Sequence, residues 1–140
     1  MAFYGAIVVN DDAIVTMLHG GDYTLYNKQL KPLYKSIEDH IIHLGVISGK
    51  DVIVDRGLNI SIDGRRRFIA LAKSLDVKIR AVVFTRESPE IHAKRRFDHD
   101  NRGRPYEYWL EAAKHHDAVY QYPTKEEGFD EIVLTYYAGK

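Results

Sequence analysis

The sequence predicts an α/β fold, with helices on both faces of a mostly parallel sheet in three layers, on three observations. Short β-branched apolar runs recur, Val52, Ile53 and Val54 being the clearest, and such runs read as strands buried on both faces. Between them lie stretches whose apolar residues return every three or four positions, the period of one helix face. Strands and helices alternate, which implies crossover connections and a parallel sheet.

In chain order, residues 5–10 (GAIVVN) read as a first strand that runs into Asn10-Asp11-Asp12, setting carboxylates at its carboxyl end. Residues 13–18 continue as a short helix stopped by Gly20-Gly21. A long helix is read over 23–44 from Leu30, Leu33, Ile37, Ile41 and Leu44, and Pro32 requires it to start late or kink. Gly45 and Gly49 end it. The second strand, 52–54, delivers Asp55 to the place where open α/β sheets put their ligands. Ser61 is a candidate N-cap, and Phe68, Ile69, Leu71, Ala72 and Leu75 form one apolar helix face. Residues 77–84 (VKIRAVVF) are a third strand. Ser88-Pro89 is a cap and first-turn pair that opens a helix to Phe97. Residues 98–104 (DHDNRGR) are polar, glycine-containing and without an apolar anchor, which suits a mobile lid and a plain surface loop equally. Pro105 opens a helix through His116, and Gly128 precedes a last strand at 132–134. With no repeat, low-complexity tract or linker, residues 1–140 read as one domain with 98–104 as its lid segment.

Composition narrows the function classes. The chain is 45% hydrophobic and 29% charged, as soluble globular chains are, and it has no cysteine, which excludes disulfides and thiolate metal sites. No apolar run is long enough for a membrane span and the first residues lack a signal-peptide pattern, so no membrane association and a cytoplasmic location are expected. The net charge of zero hides segregation. Residues 1–55 carry 4 Lys/Arg against 7 Asp/Glu, 56–104 carry 13 against 6, and 105–140 carry 3 against 7. A basic middle between acidic ends suits an anionic ligand, and also a patterned surface with no partner.

Two kinds of residue are placed to do chemistry. Asp11, at a strand end, can take a proton from a hydroxyl nucleophile, and Asp55 can hold Mg²⁺ through water; as helix caps, Asp11 and Asp12 would have a plainer role. Arg95, Arg96, Arg102 and Arg104 flank the polar loop, and guanidinium forks suit phosphate oxygens, although a solvated helix end explains them as well. Arg65, Arg66 and Arg67 on one helix cannot all face one ligand. The seven histidines match no zinc spacing, and Tyr106, Tyr108 and Trp109 suit packing or base stacking.

The segments VNDD at 9–12, VIVDRGLNIS at 52–61, RRRFIALAKSLDVKIRAVVF at 65–84, KRRFDHDNRGRP at 94–105 and EEGFDEIV at 126–133 resemble, in colinear order, the kinase domain of phage-type polynucleotide kinases. The wider group is that of the P-loop kinases called zeta-toxin or AAA-type ATPases. The resemblance implies transfer of the ATP γ-phosphate to a hydroxyl, in that subgroup the 5′-hydroxyl of a nucleic acid, with Mg²⁺. It implies that Asp11 is the general base and that Asp55 is the sheet-end carboxylate holding the metal near the phosphates. Arg56 beside it, and Arg95 and Arg102 in the lid, would then contact the nucleotide.

Two departures shape what is expected. Ile14 stands where the phage enzymes have an arginine that contacts the acceptor phosphate. The strand and G-x-x-x-x-G-K-[ST] loop that cradle phosphate in that group are not in this sequence, and Gly49-Lys50 precedes a strand rather than a helix. The resemblance therefore implies a P-loop kinase-like fold incomplete at its N-terminus, with a gap in the sheet or direct pairing of the strands at 52–54 and 79–84. It also implies weakened ATP binding and a domain inactive alone. The alternative is a non-catalytic nucleic-acid-binding or assembly module on a kinase scaffold. A homodimer in which strands of two copies complete each other's sheet is a further expectation.

Overall fold

The computed structural model describes residues 5–136. Its elements run β1 (Ile7–Asn10), α1 (Asp11–Leu18), α2 (Lys31–Ile47), β2 (Val52–Asp55), α3 (Ile62–Ser74), β3 (Arg80–Phe84), α4 (Pro89–Asp98), α5 (Tyr106–Val119) and β4 (Glu131–Thr135). Both ladders are parallel, so the α/β class holds. β1 pairs with β2 in the register Ile7↔Val52 to Asn10↔Asp55, and β3 pairs with β4 from Arg80↔Glu131 to Phe84↔Thr135.

One sheet was expected; there are two, each of two strands, and among the described residues no ladder joins β2 to β3. Alternation of strands and helices signals parallel crossovers but does not say which strands become neighbours. The strands are also less buried than their apolar runs imply. Val52, Ile53 and Val54 are only half-buried, and Val8, Phe84 and Leu134 are each more than half exposed. A two-stranded sheet has two open edges, so β-branched runs here are incompletely covered.

The chain divides into two compact units, one of Met1–Asn59 with Ala70–Val77, the other of Ile60–Ile69 with Lys78–Lys140. In the first, Val9, Ile14, Val15, Tyr34 and Ile42 are the buried apolar residues. The helix expected over 23–44 begins at Lys31, after 3₁₀ turns at Tyr23–Leu25 and Lys28–Leu30, so Pro32 sits harmlessly in its first turn. It then runs through Gly45 to Ile47, and Gly49, at φ +70°, marks its end. Its buried face is not the leucine–isoleucine stripe but Tyr34, Glu38, Ile42 and Gly45, with Leu33 and Leu44 nearly half exposed. Gly45 is where α2 meets the sheet. A β-carbon there would lie 2.8 Å from Val52 Cγ2 and 3.0 Å from Ile7 Cδ1.

In the second unit, one buried ion pair ties the ends of the sequence segment together. Arg65 Nε and Nη2 donate to Glu127 Oε1 and Oε2 at 2.9 Å each, and Arg65 Nη1 donates to the Gln121 carbonyl at 2.9 Å. The Gln121 side chain accepts the Ile62 N–H at 3.0 Å, satisfying one of the orphan donors at the start of α3. Glu127 also accepts the Thr124 N–H at 2.8 Å, closing a capping box on a 3₁₀ turn that ends at Gly128, φ +119°. Asp130 then accepts the Ile79 N–H at 2.8 Å and starts β4. The third strand therefore begins at Arg80, three residues later than its sequence pattern, because residues 77–79 serve this connection instead. Of the arginine triplet, Arg65 is buried, Arg66 pairs with Asp63 and Arg67 lies over the Phe68 ring.

Two stability predictions follow from these contacts. Gly45→Ala, which in an open helix would stabilise by about 1 kcal/mol, is expected to destabilise by about 1–3 kcal/mol in urea unfolding because Val52 is stiff and must shift. A rise in stability would contradict the close packing of α2. Burial pushes the Glu127 carboxyl up, but its bonds from Arg65 and Thr124 outweigh this and hold it below its ordinary 4.5. A depressed carboxylate stabilises the fold above its unfolded-state value, and this is lost as pH falls through the folded-state value. Glu127→Gln is therefore expected to cost about 3 kcal/mol near neutrality, with the gap from the parent closing once the pH is well below 4.5.

Candidate functional site

The register of β1 and β2 sets Asn10 opposite Asp55 and starts α1 in the very next residue. The helix read at 13–18 thus begins at Asp11, and its N-cap is Asn10 rather than either aspartate. The Ala13 N–H donates to Asn10 Oδ1 at 2.9 Å, while Asn10 Nδ2 donates to the Asp55 carbonyl at 3.1 Å and to Asp55 Oδ2 at 3.4 Å. One side-chain amide caps a helix and bridges two strand ends.

Asp11 is held at both oxygens. The Asp12 N–H donates to Oδ1 at 3.1 Å, and Arg56 Nε donates to Oδ2 at 3.2 Å. Asp11 keeps about a third of its side-chain surface in water, 35%, whereas Arg56 keeps 9%. At 3.5 Å from the same Nε, as a second ion pair, lies Oε1 of Glu38, which is buried to 2% exposure. Asp55 itself is exposed at the end of β2. Asn59 Nδ2 donates to the Val54 carbonyl at 3.0 Å and so pins the turn that follows. Three sequence-predicted residues, Asp11, Asp55 and Arg56, are therefore gathered at one pair of strand ends. Asn10 and Glu38 complete the cluster and were not singled out from the sequence. Asn10 carried a signal, as the polar residue closing an apolar strand before two aspartates; Glu38, in a helix with many charges, carried none.

Arg95 and Arg102 belong to the second unit. Arg95 grips both carboxylate oxygens of Glu87, and that bond holds the Glu87 carboxyl below its usual value. The loop at 98–104 is held by polar bonds of its own. The N–H groups of Arg102 and Arg104 donate to the two oxygens of Asp100 at 2.9 and 2.7 Å, with Gly103 at φ +68° between them. Burial pushes the Asp100 carboxyl up, but these bonds bring it below its ordinary value. Arg96 lies 4.9 Å over Trp109 and Arg104 5.1 Å over Tyr108, so these two rings take arginines, and Trp109 is buried.

Residues 1–120 match the AAA domain family AAA_33, which is 120 of 140 residues. The chain belongs to that family. It is a P-loop NTPase-like kinase family, and its small parallel sheets with connecting helices are in keeping with this membership. No curated protein matches the chain. No helix among the described residues is long and apolar enough to cross a membrane.

AAA-type P-loop domains generally bind nucleotide with Mg²⁺. The donor chemistry at the strand ends fits the metal: Mg²⁺ prefers one or two carboxylates together with phosphate oxygens and water, and Asp55 is exposed there beside Asp11. Among the described residues no group of three or more His, Asp or Glu side chains is placed to hold a metal ion, so Asp55 would depend on water and phosphate oxygens for the other positions. The same residues offer no glycine-rich run of backbone N–H groups for a triphosphate, so the fit is to the metal and not to the phosphate chain.

The bridge has a direct test. Asn10→Asp keeps an acceptor for the Ala13 N–H but faces Asp55 with a second carboxylate in place of a donor. It is expected to lower stability at neutral pH by about 1–2 kcal/mol in urea unfolding. An unchanged midpoint would mean that the amide does not join the strands.

Proposed function

We propose that this chain is a polynucleotide kinase-like phosphotransferase domain built to transfer a phosphate from ATP to a hydroxyl, the 5′-hydroxyl of a nucleic acid, with ATP binding weakened because its sequence holds no glycine-rich phosphate loop. The observation that carries the reading is that two carboxylates, Asp11 about a third exposed and Asp55 exposed, stand at the carboxyl ends of adjacent parallel strands. Within that reading Asp11 is the general base: one oxygen is fixed by a backbone N–H and the other by a guanidinium, so its lone pairs are aimed rather than free to turn. Asp55 would hold Mg²⁺ through water. Mg·ATP, when bound, supplies the phosphoryl group and the positive charge that offsets the negative charge of its transfer. Arg56, mostly out of water and engaged by two carboxylates, is proposed to hold Asp11 beside the nucleotide that the resemblance has it contact. Ile14 is buried, and Arg56 is the guanidinium beside the base. The lid arginines Arg95 and Arg102 are both proposed for nucleotide phosphates, as the resemblance implies, and Arg95 also grips Glu87.

The reading is tested by phosphate transfer from Mg·ATP to a 5′-hydroxyl oligonucleotide. Asp11→Asn is expected to lower kcat by about 10²- to 10⁴-fold with only a modest fall in thermal midpoint, because the size and the backbone contact are kept while the charge facing Arg56 is lost. Equal activity in parent and variant would remove Asp11 as the base. Arg102→Ala is expected to raise KM for ATP with little change in kcat.

A further inference from the structure

We propose that Glu38 is a positioning residue: through Arg56 it fixes the direction of the Asp11 carboxylate. The inference rests on the reading of Asp11 as a base and adds a residue that this reading did not require.

The buried face of α2 is built from Tyr34, Glu38, Ile42 and Gly45, at steps of four, four and three. Glu38 thus occupies a core position with apolar neighbours one turn to either side. Burying an ionised carboxylate is costly unless it is paired, and a leucine or methionine would fill the same space without that cost. A carboxylate kept at such a position points to its partner. That partner is Arg56, whose Nε lies 3.5 Å from Glu38 Oε1 and 3.2 Å from Asp11 Oδ2.

The three side chains come from three elements. Asp11 opens α1, Arg56 follows β2, and Glu38 stands in the middle of the 17-residue α2. Only Glu38 sits on the interior of a long helix, the most rigid of these mountings. Glu38 and Asp11 thus meet the same Nε of Arg56, the first as an ion pair and the second as a hydrogen bond, so the buried carboxylate bears on where that N–H stands for Asp11. Two carboxylates also share one positive charge, so Arg56 does not neutralise Asp11 alone. The logic is that of a base oriented by a group that is itself oriented by a buried acid.

The test has two readouts on the full chain. The first is the Asp11 rotamer, read from three-bond side-chain couplings, which needs no substrate. The second is kcat against KM for phosphate transfer to a 5′-hydroxyl oligonucleotide. Glu38→Gln, of the same size, is expected to change Asp11 from one rotamer to an average of several. It should lower kcat on the order of 10- to 100-fold while both KM values stay within about twofold. In an Arg56→Gln background the Glu38→Gln change should add nothing, because the intermediary is gone. Should Glu38→Gln fail to fold, Arg56→Gln alone must release the Asp11 rotamer.

An Asp11 rotamer unmoved by Glu38→Gln overturns the proposal whatever the activity, and so do independent effects of Glu38→Gln and Arg56→Gln. If the rotamer shifts as expected but no form of the protein transfers phosphate, the positioning role stands and the phosphotransferase reading falls.

Discussion

The site depends on a single side-chain amide. Asn10 closes β1, and its oxygen caps α1 while its nitrogen bonds the backbone and side chain of Asp55 across the ladder. Few side chains can do both. Aspartate accepts but does not donate, and serine or threonine has one short hydroxyl for two partners in opposite directions. With asparagine there, the first turn of α1 and the end of β2 are one rigid object, and Asp11, Asp55 and Arg56 are placed by it. The four-residue strands are too short to supply such rigidity alone.

Charge at this object is arranged rather than balanced. Asp11, Asp12 and Asp55 bring three carboxylates to the strand ends, and Arg56 is the guanidinium among them, held partly by Glu38. The surplus is negative, which suits a hydrated cation and a hydroxyl about to lose a proton better than it suits a bare phosphate. The second unit follows another plan. Its buried pair, Arg65 with Glu127, is bidentate and fully engaged, and it organises the capping box, the left-handed Gly128 and the entry into β4. That accounts structurally for the segment EEGFDEIV, whose glutamate, glycine and aspartate each make a specific bond or turn.

Much of the fold was legible because its signals are local. The apolar runs of β1 and β2, the Ser88-Pro89 start of α4 and the Ser61 bond to the Gly64 N–H at 3.1 Å all lie within a few residues of what they determine. Sheet membership was not legible, since strand neighbours are chosen by pairing over long separations. The face of α2 was misread for a physical reason: leucine and isoleucine mark one stripe, but the helix buries Tyr34, Glu38, Ile42 and Gly45. Gly45 faces inward because the sheet comes too close for a β-carbon, and Glu38 faces inward because Arg56 is there. Neither reason is visible in a hydrophobic pattern. At the site, Asp11 and Asp55 were readable as carboxylates at strand ends. Asn10 as a bridge required knowledge of the register, and Glu38 required knowledge of the third dimension.

The central claim is that the paired ends of β1 and β2 receive Mg²⁺ and nucleotide. Titrating ¹⁵N-labelled protein with Mg²⁺ and a non-hydrolysable ATP analogue tests it most directly, with the side-chain amide of Asn10 as reporter. The account predicts that the Asn10 Nδ2 signals and the backbone signals of Asp11, Asp12, Asp55 and Arg56 move together along one binding curve. Shifts confined to other segments, with the Asn10 amide unmoved at saturation, would contradict it.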